Sequence, residues 1–376
     1  MKKILFALLG LYACQSTPTP PATPQTDQRP LIFVGTYTQK MGHVDGKASG
    51  IYTCRFDTET GALTVVDSTT DIENPSFVCV SPDKKYLYAV AENGGTPEQP
   101  WGSVAAYQIK ENGKLLKINE MPSYGVAPCH ISTDQSGKFV LVANYGTGNV
   151  ATYGVQADGK LTDSLCTVQH PGKSPWAHMM IPTPDPSEVW AVDKGADKVF
   201  RYQLSPDGKL KAQGNILTAK GAGPRHLDFN PVAKGQFALI NELGNSVNYY
   251  WKDAAGTVGR IDSLSTLPAD FKQENYCADI HFHPNGKFLY GSNRGHNSIV
   301  VYAVDTASGK LTLLEHESTQ GLAPRNFLIT PDGKWLLAAN QNSGNVAAFR
   351  IDAATGLLTP AGKPSLVPTP VCLKML

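Results

Sequence analysis

Two short stretches of this sequence place ionisable groups where they could meet a small anion: Gly223-Pro224-Arg225-His226 and, a hairpin's length later, Asn241-Glu242. The residues between them form two apolar or alternating runs joined by a turn containing Pro and Gly, the pattern of an antiparallel strand pair. Such a pair brings the start of its first strand beside the end of its second, so Arg225 and Glu242 should share one end of the hairpin. A guanidinium held there needs an anion, either a neighbouring carboxylate or the carboxylate or phosphate of a ligand.

The hairpin is one of a series. Its marker is a proline opening a strand, a turn, and a second apolar strand closing in Asn or Asp plus one polar residue. It recurs from Pro75, Pro128, Pro175, Pro224 and Pro324, and without the proline from Cys277, at intervals of 47 to 53 residues. A third strand follows each pair (Asn149 to Tyr153, Ser298 to Tyr302). A turn such as Asp158-Gly159-Lys160-Leu161 or Asp207-Gly208-Lys209-Leu210 then leads to a fourth. Four strands in a unit of this length make one blade of a β-propeller. The N-terminal strands Leu31 to Thr38, Gly50 to Phe56 and Leu63 to Asp67 lack a first strand, and Pro370-Val371-Cys372-Leu373 supplies it. The expected fold is therefore all-β, a seven-bladed propeller closed by the C-terminal strand pairing in the N-terminal blade.

Seven hairpins in a ring aim their ends at one mouth of a central channel. First-strand starts contribute His130, Trp176, His178, Arg225, His226, Asp279, Arg325 and Asn326. Second-strand ends contribute Tyr37, Glu92, Tyr145, Asp193, Lys194, Glu242, Arg294 and Gln341. These residues differ from blade to blade although the blades repeat, which points to a ligand concavity rather than a structural ring. The recurring Asn144, Asp193, Asn241, Asn293 and Asn340 read instead as turn caps. His283 reads as a surface hairpin residue and His281 as a packed channel residue.

Composition sets the bounds. Net charge is +1, from 33 basic and 32 acidic residues evenly spread, so no basic face for nucleic acid is expected. Metal motifs such as HExxH and paired CxxC are missing from the sequence, as is the GxSxG of serine hydrolases. No metal or other cofactor is called for, and any hydrolysis would use an activated water. Met1 to Cys14 reads as an export signal ending in a lipobox-like Leu11-Tyr12-Ala13-Cys14, with Cys14 the lipidated residue. Tyr12 departs from that motif, which leaves ordinary signal-peptidase cleavage as the alternative. Residues 15–30 read as a Thr/Pro-rich tether and 31–376 as the propeller domain. Export to the periplasmic side or outer membrane is expected, with a cytoplasmic location the alternative. Contact with a membrane would run through the lipid anchor alone, and a monomer is expected. The six other cysteines sit singly in apolar strands and read as unpaired small hydrophobes.

Residues 31–376 resemble the seven-bladed lactonase family, which includes bacterial 6-phosphogluconolactonases and carboxy-muconate lactonising enzymes. The resemblance rests on Gly35-Thr36-Tyr37-Thr38, Gly223-Pro224-Arg225-His226, Asn241-Glu242, Ser292 to Ile299 and Pro324-Arg325-Asn326-Phe327. It implies hydrolysis of a small anionic lactone, with 6-phospho-D-glucono-1,5-lactone as the model substrate. In the muconate branch a His, two Arg and a Glu form the site, and by position the resemblance places them on His178, Arg225, Arg294 and Glu242. Glu242 or His178 would activate water, and Arg225 and Arg294 would hold the oxyanion and the substrate's acidic group. His130, His226, Arg325, Asn326, Tyr145, Lys194 and Gln341 would be substrate contacts. The competing expectations are an exported propeller that only binds an anionic ligand or protein partner, and a muconate-type lactonising enzyme.

Overall fold

The computed structural model describes Ile4 and residues 27–94 and 100–376; the expected signal, Cys14 and most of the tether lie outside the described residues. Seven antiparallel sheets are arranged as a propeller, six with four strands and one with a fifth short strand. The hairpin of Arg225 and Glu242 belongs to a representative blade: Pro224–Phe229, Gln236–Asn241, Ser246–Lys252 and Val258–Ser265, paired in that order from the axis outward. In the five-stranded sheet the outermost position is split between Leu358–Pro360 and Ser365–Leu366, both paired to Asn345–Ile351.

The C-terminal strand Pro370–Met375 pairs with Leu31–Thr36, which continues to Ile51–Phe56 and Leu63–Thr69. The closing blade therefore takes its innermost strand from the far end of the chain, and no sheet edge is left at the seam. Trp335, 1 % exposed, meets Phe56 edge-on across that seam and donates from Nε1 to the Thr58 carbonyl at 3.1 Å.

Burial explains the strand sequences. Middle strands are covered on both faces by neighbouring blades, so Phe139–Asn144 and Trp335–Asn340 are near-continuous apolar runs. Outer strands such as Leu210–Leu217 face water and are polar. The core lies between blades: Phe288, Tyr290 and Val301 of one blade pack on Phe327, Leu336 and Phe349 of the next.

Turns nest the same way. Gly159 has φ +82° and lies so close to the Tyr86 ring of the preceding blade that a Cβ would meet it at 2.2 Å, so glycine is required on both counts. His283 follows this rule rather than the expected one. It is buried, its Nε2–H donates to the Gly333 carbonyl (2.9 Å) of the next blade's turn, and its Nδ1 accepts from Asn285 N–H (3.1 Å). Hairpin turns here are inter-blade contacts, as Asn230 donating to the Gly286 carbonyl at 3.0 Å also shows. One blade starts later than its sequence suggests: Ala177, not Pro175, pairs with Asp193 as Pro224 does with Asn241. All six described cysteines are unpaired.

Candidate active site

Two backbone devices aim side chains at the axis. The first is a β-bulge at the start of the innermost strands: the register skips one residue between Pro128 and His130, Ala177 and Met179, Pro224 and His226, and Pro324 and Asn326. The extra residues are Cys129, His178, Arg225 and Arg325, each turned into the channel just below its mouth. The second device fixes the residue after each middle strand. Tyr145, Lys194, Glu242 and Gln341 each donate their N–H to a carbonyl just ahead of the inner strand, at 2.7–3.0 Å. The capping residues anchor these corners, as Asp193 does by accepting from Trp176 N–H and Ala196 N–H at 2.8 Å each.

Together these side chains surround a cavity of about 800 Å³ that opens at the mouth, within the range of small-molecule sites. His178, Glu242, Arg294, Arg325, Tyr145, Lys194 and Gln341 line it. Arg225 lies just beneath, 2 % exposed.

Glu242 holds one side. Its Oε1 accepts from Lys194 Nζ at 2.6 Å, while Oε2 is 3.0 Å from both Arg225 Nε and Arg294 Nη2. Burial opposes its charge, but the three cations outweigh that and bring its pKa down to about 2. The contact with Arg225 is an ion pair and not a directed hydrogen bond; that guanidinium donates from Nη1 to the Ala278 carbonyl at 2.6 Å. Lys194 also lies over the rings of Tyr145 and Trp176, which stack on each other.

The other side is built differently. Arg325 has no carboxylate within 4.0 Å among the described residues. It donates from Nη2 to Tyr37 Oη at 3.1 Å, and that hydroxyl donates to Glu92 Oε2 at 2.8 Å. Ser76 Oγ also donates to Glu92. Burial raises the Glu92 pKa despite Arg325 and these donors. His178 sits between the two sides. Burial, with Arg225, His226, Arg325 and Lys194 nearby, holds its pKa well below the usual histidine range, so the imidazole is neutral. Neither ring nitrogen has a partner among the described residues. Nδ1 is shut away and Nε2 is the nitrogen with access to the cavity.

Three residues expected as substrate contacts lie one level too deep. His226 gives its Nδ1 to Asp279 Oδ1 at 2.7 Å, and Asn326 donates to the other Asp279 oxygen and accepts from Leu373 N–H at 2.7 Å. His130 packs its ring on Phe77. All three follow the bulge residue, and the alternation along the strand carries them below the cavity floor. His281, in the channel below, bonds Asp279 through Nε2 at 3.0 Å; Asp279 and Asp228 raise its pKa to about 10 against the effect of burial.

Sequence reasoning missed the cavity wall formed by Met41 and His43. Both come from a two-stranded ribbon, Lys40–Met41 with Val44–Asp45, in the connection 37–50. The equivalent connection elsewhere is as short as 145–148, and that length difference was the readable signal. His43 Nε2 reaches Tyr37 Oη at 3.3 Å; burial, then Arg325 and Arg294, lower its pKa to about 4. Tyr276, Asn297 and Leu322 complete the wall.

Seven blades in a ring are the architecture named by the family model "Lactonase, 7-bladed beta-propeller", which matches residues 31–375. The chain belongs to the seven-bladed β-propeller lactonase family. A 6-phosphogluconolactonase of Bacillus subtilis (strain 168) is 38 % identical over 305 residues, 79 % of this chain and 84 % of that protein. Among solved structures, a candidate 6-phosphogluconolactonase of Bacteroides fragilis superposes with TM-score 0.84 at 32 % identity, covering 96 % of this chain and all of that one. A periplasmic gluconolactonase of Pseudomonas aeruginosa gives TM-score 0.84 at 31 % identity over 92 % of this chain and 99 % of its own.

Proposed function

We propose that this chain is a 6-phosphogluconolactonase-like lactonase, a carboxylic-ester hydrolase that opens a sugar-acid lactone with water. One observation carries the chemistry: four cations, Lys194, Arg225, Arg294 and Arg325, surround a cavity whose two buried carboxylates are Glu242 and Glu92, beside a neutral His178. The surplus of positive charge suits an anionic substrate and the oxyanion of a tetrahedral intermediate.

Between the two candidate bases, the geometry favours His178. A carboxylate bound by three cations has little affinity for a proton, so Glu242 serves as their anchor. A neutral imidazole with a free Nε2 can take one. In the proposed path, water attacks the lactone carbonyl as its proton passes to His178 Nε2, while the carbonyl oxygen becomes an oxyanion facing Lys194 and Arg294. Collapse breaks the ring C–O bond, the imidazolium returns its proton to the leaving oxygen, and a hydroxy acid results. Arg325, with no carboxylate within 4.0 Å among the described residues, takes the phosphate of a phosphorylated lactone or a hydroxyl of an uncharged one.

Export is part of the proposal. It is supported by the lipobox-like end at Cys14, and it fits the periplasmic character of the Pseudomonas relative. An exported enzyme would meet glucono-1,5-lactone, and a cytoplasmic one its 6-phosphate. The test is a pH-stat assay of the purified chain on both lactones with spontaneous opening subtracted. Acceleration is expected on at least one, with kcat lowered ~10²-fold in His178→Gln. A wild-type chain inert on both leaves the ligand-binding alternative.

A further inference from the structure

Beneath the cavity floor lies a second, narrow space of about 10 Å³, whose lining includes Ser76, Glu92, His178, Arg225, His226 and Arg325 beside apolar side chains. That is the room of one water molecule, and a buried water needs two to four polar partners. Two of the histidines that line it each carry a buried ring nitrogen with no partner among the described residues, His178 Nδ1 and His226 Nε2, in rings 5.2 Å apart and steeply inclined to each other. The opposite side of His226 is committed, because its Nδ1 lies 2.7 Å from Asp279 Oδ1. A carboxylate accepts, so Nδ1 carries the hydrogen and Nε2 is a bare lone pair.

We propose that Asp279 and His226 position the imidazole of His178 through one water held in this space. The bare His226 Nε2 accepts one of the water's hydrogens and the Glu92 carboxylate can accept the other, which leaves the water oxygen to accept from His178 Nδ1–H. This fixes His178 in the tautomer whose Nε2 lone pair faces the main cavity, the form a base requires, by the logic through which a carboxylate orients the histidine of a hydrolase triad. When the attacking water gives its proton to Nε2, the cation so formed is bonded through Nδ1–H, the buried water and His226 to the Asp279 carboxylate. No proton crosses the chain, so Asp279 and His226 are positioning residues. Asp279 is shared with His281 and Asn326, which hold it in place.

This inference rests on the reading of His178 as the base, and its test separates the two. High-resolution crystallography of the full chain should show an ordered water within reach of both nitrogens. Histidine ¹⁵N spectra should show His178 protonated at Nδ1 and bare at Nε2. His226→Phe keeps the ring's bulk and removes the acceptor; kcat should fall at least about tenfold, KM should hold within about twofold, and the His178 tautomer should shift toward Nε2–H. His226→Gln, which restores an acceptor, should recover part of kcat. A wild-type His178 protonated at Nε2, or unchanged kcat in His226→Phe, overturns the proposal. If the wild type opens no lactone, the lactonase reading fails, while the tautomer and the water are still measured in the same protein.

Discussion

The two sides of the cavity solve one problem in opposite ways. Around Glu242, a single carboxylate 7 % exposed serves three cations directly, and its pKa falls to about 2. Around Glu92, the carboxylate is as deeply buried, but its cation is reached only through Tyr37 Oη, and its pKa rises. The difference lies in how the cations of each side are held. Lys194, Arg225 and Arg294 are held rigid at the cost of sharing one counter-charge. Arg325 keeps a guanidinium with no carboxylate within 4.0 Å among the described residues, positioned by a neutral hydroxyl.

Breaking the first side should have the largest effect. Glu242→Ala leaves three cations facing one another, with Arg225 buried. Removing one partner of a buried ion pair typically costs ~3–5 kcal/mol. Lactone opening should fall ~10²–10³-fold as Lys194 and Arg294 lose their aim. Denaturant unfolding and pH-stat rates measure the two losses. Wild-type activity in a folded Glu242→Ala would refute the assignment of this cluster.

Acid titration sharpens the comparison because the two glutamates carry opposite signs. Glu242 has a depressed folded pKa, so its contribution is complete above the ordinary glutamate value near 4.5 and is lost as the pH falls toward about 2. Its size is on the order of a few kcal/mol. Glu92 has a raised folded pKa, so the folded state prefers it protonated, and its ionisation costs stability as the pH climbs above the ordinary value. In the titration of the whole protein, the buried neutral His43 and His178 also lose stability on acidification. Within it, the Glu92 contribution should therefore gain as the pH falls from neutral and the Glu242 contribution should fall. Glu92→Gln should remove the gain and Glu242→Gln should flatten the fall. Identical pH curves for the two variants would contradict the asymmetry.

How much of this was legible beforehand depends on what each feature rests on. The blade repeat, the C-terminal closure and the corner residues Lys194, Glu242, Arg294 and Gln341 follow from strand length and turn chemistry, which are local. The depth of a side chain does not. One bulge residue in each of two inner strands decides that Arg225 and Arg325 approach the cavity while His226 and Asn326 sink below it, and a bulge has no marker in the sequence here. A late strand start at Ala177 also hid the fact that His178, three residues past the apparent start at Pro175, is the equivalent of Arg225. His283 misled for a related reason: its neighbour belongs to a different blade, 50 residues away. The ribbon carrying His43 could have been read from the length of its connection.

Tyr37 is the smallest and most discriminating place to intervene, because its hydroxyl stands between Glu92 and Arg325 where Glu242 meets its cations directly. Tyr37→Phe deletes one hydroxyl that donates to Glu92 and accepts from Arg325 and His43, while the ring stays under the guanidinium at 5.5 Å. Losing a hydrogen bond at a buried site costs about 1 kcal/mol, with more where a charged partner is stranded. Arg325 would then be free to close on Glu92 as a direct ion pair, copying the Glu242 arrangement. The expected outcome is a stability change of only ~1 kcal/mol, with KM raised several-fold at nearly constant kcat, because the anion-holding guanidinium is now neutralised. A fall in kcat with unchanged KM would instead place Tyr37 in the chemical step and remove the distinction between the two sides.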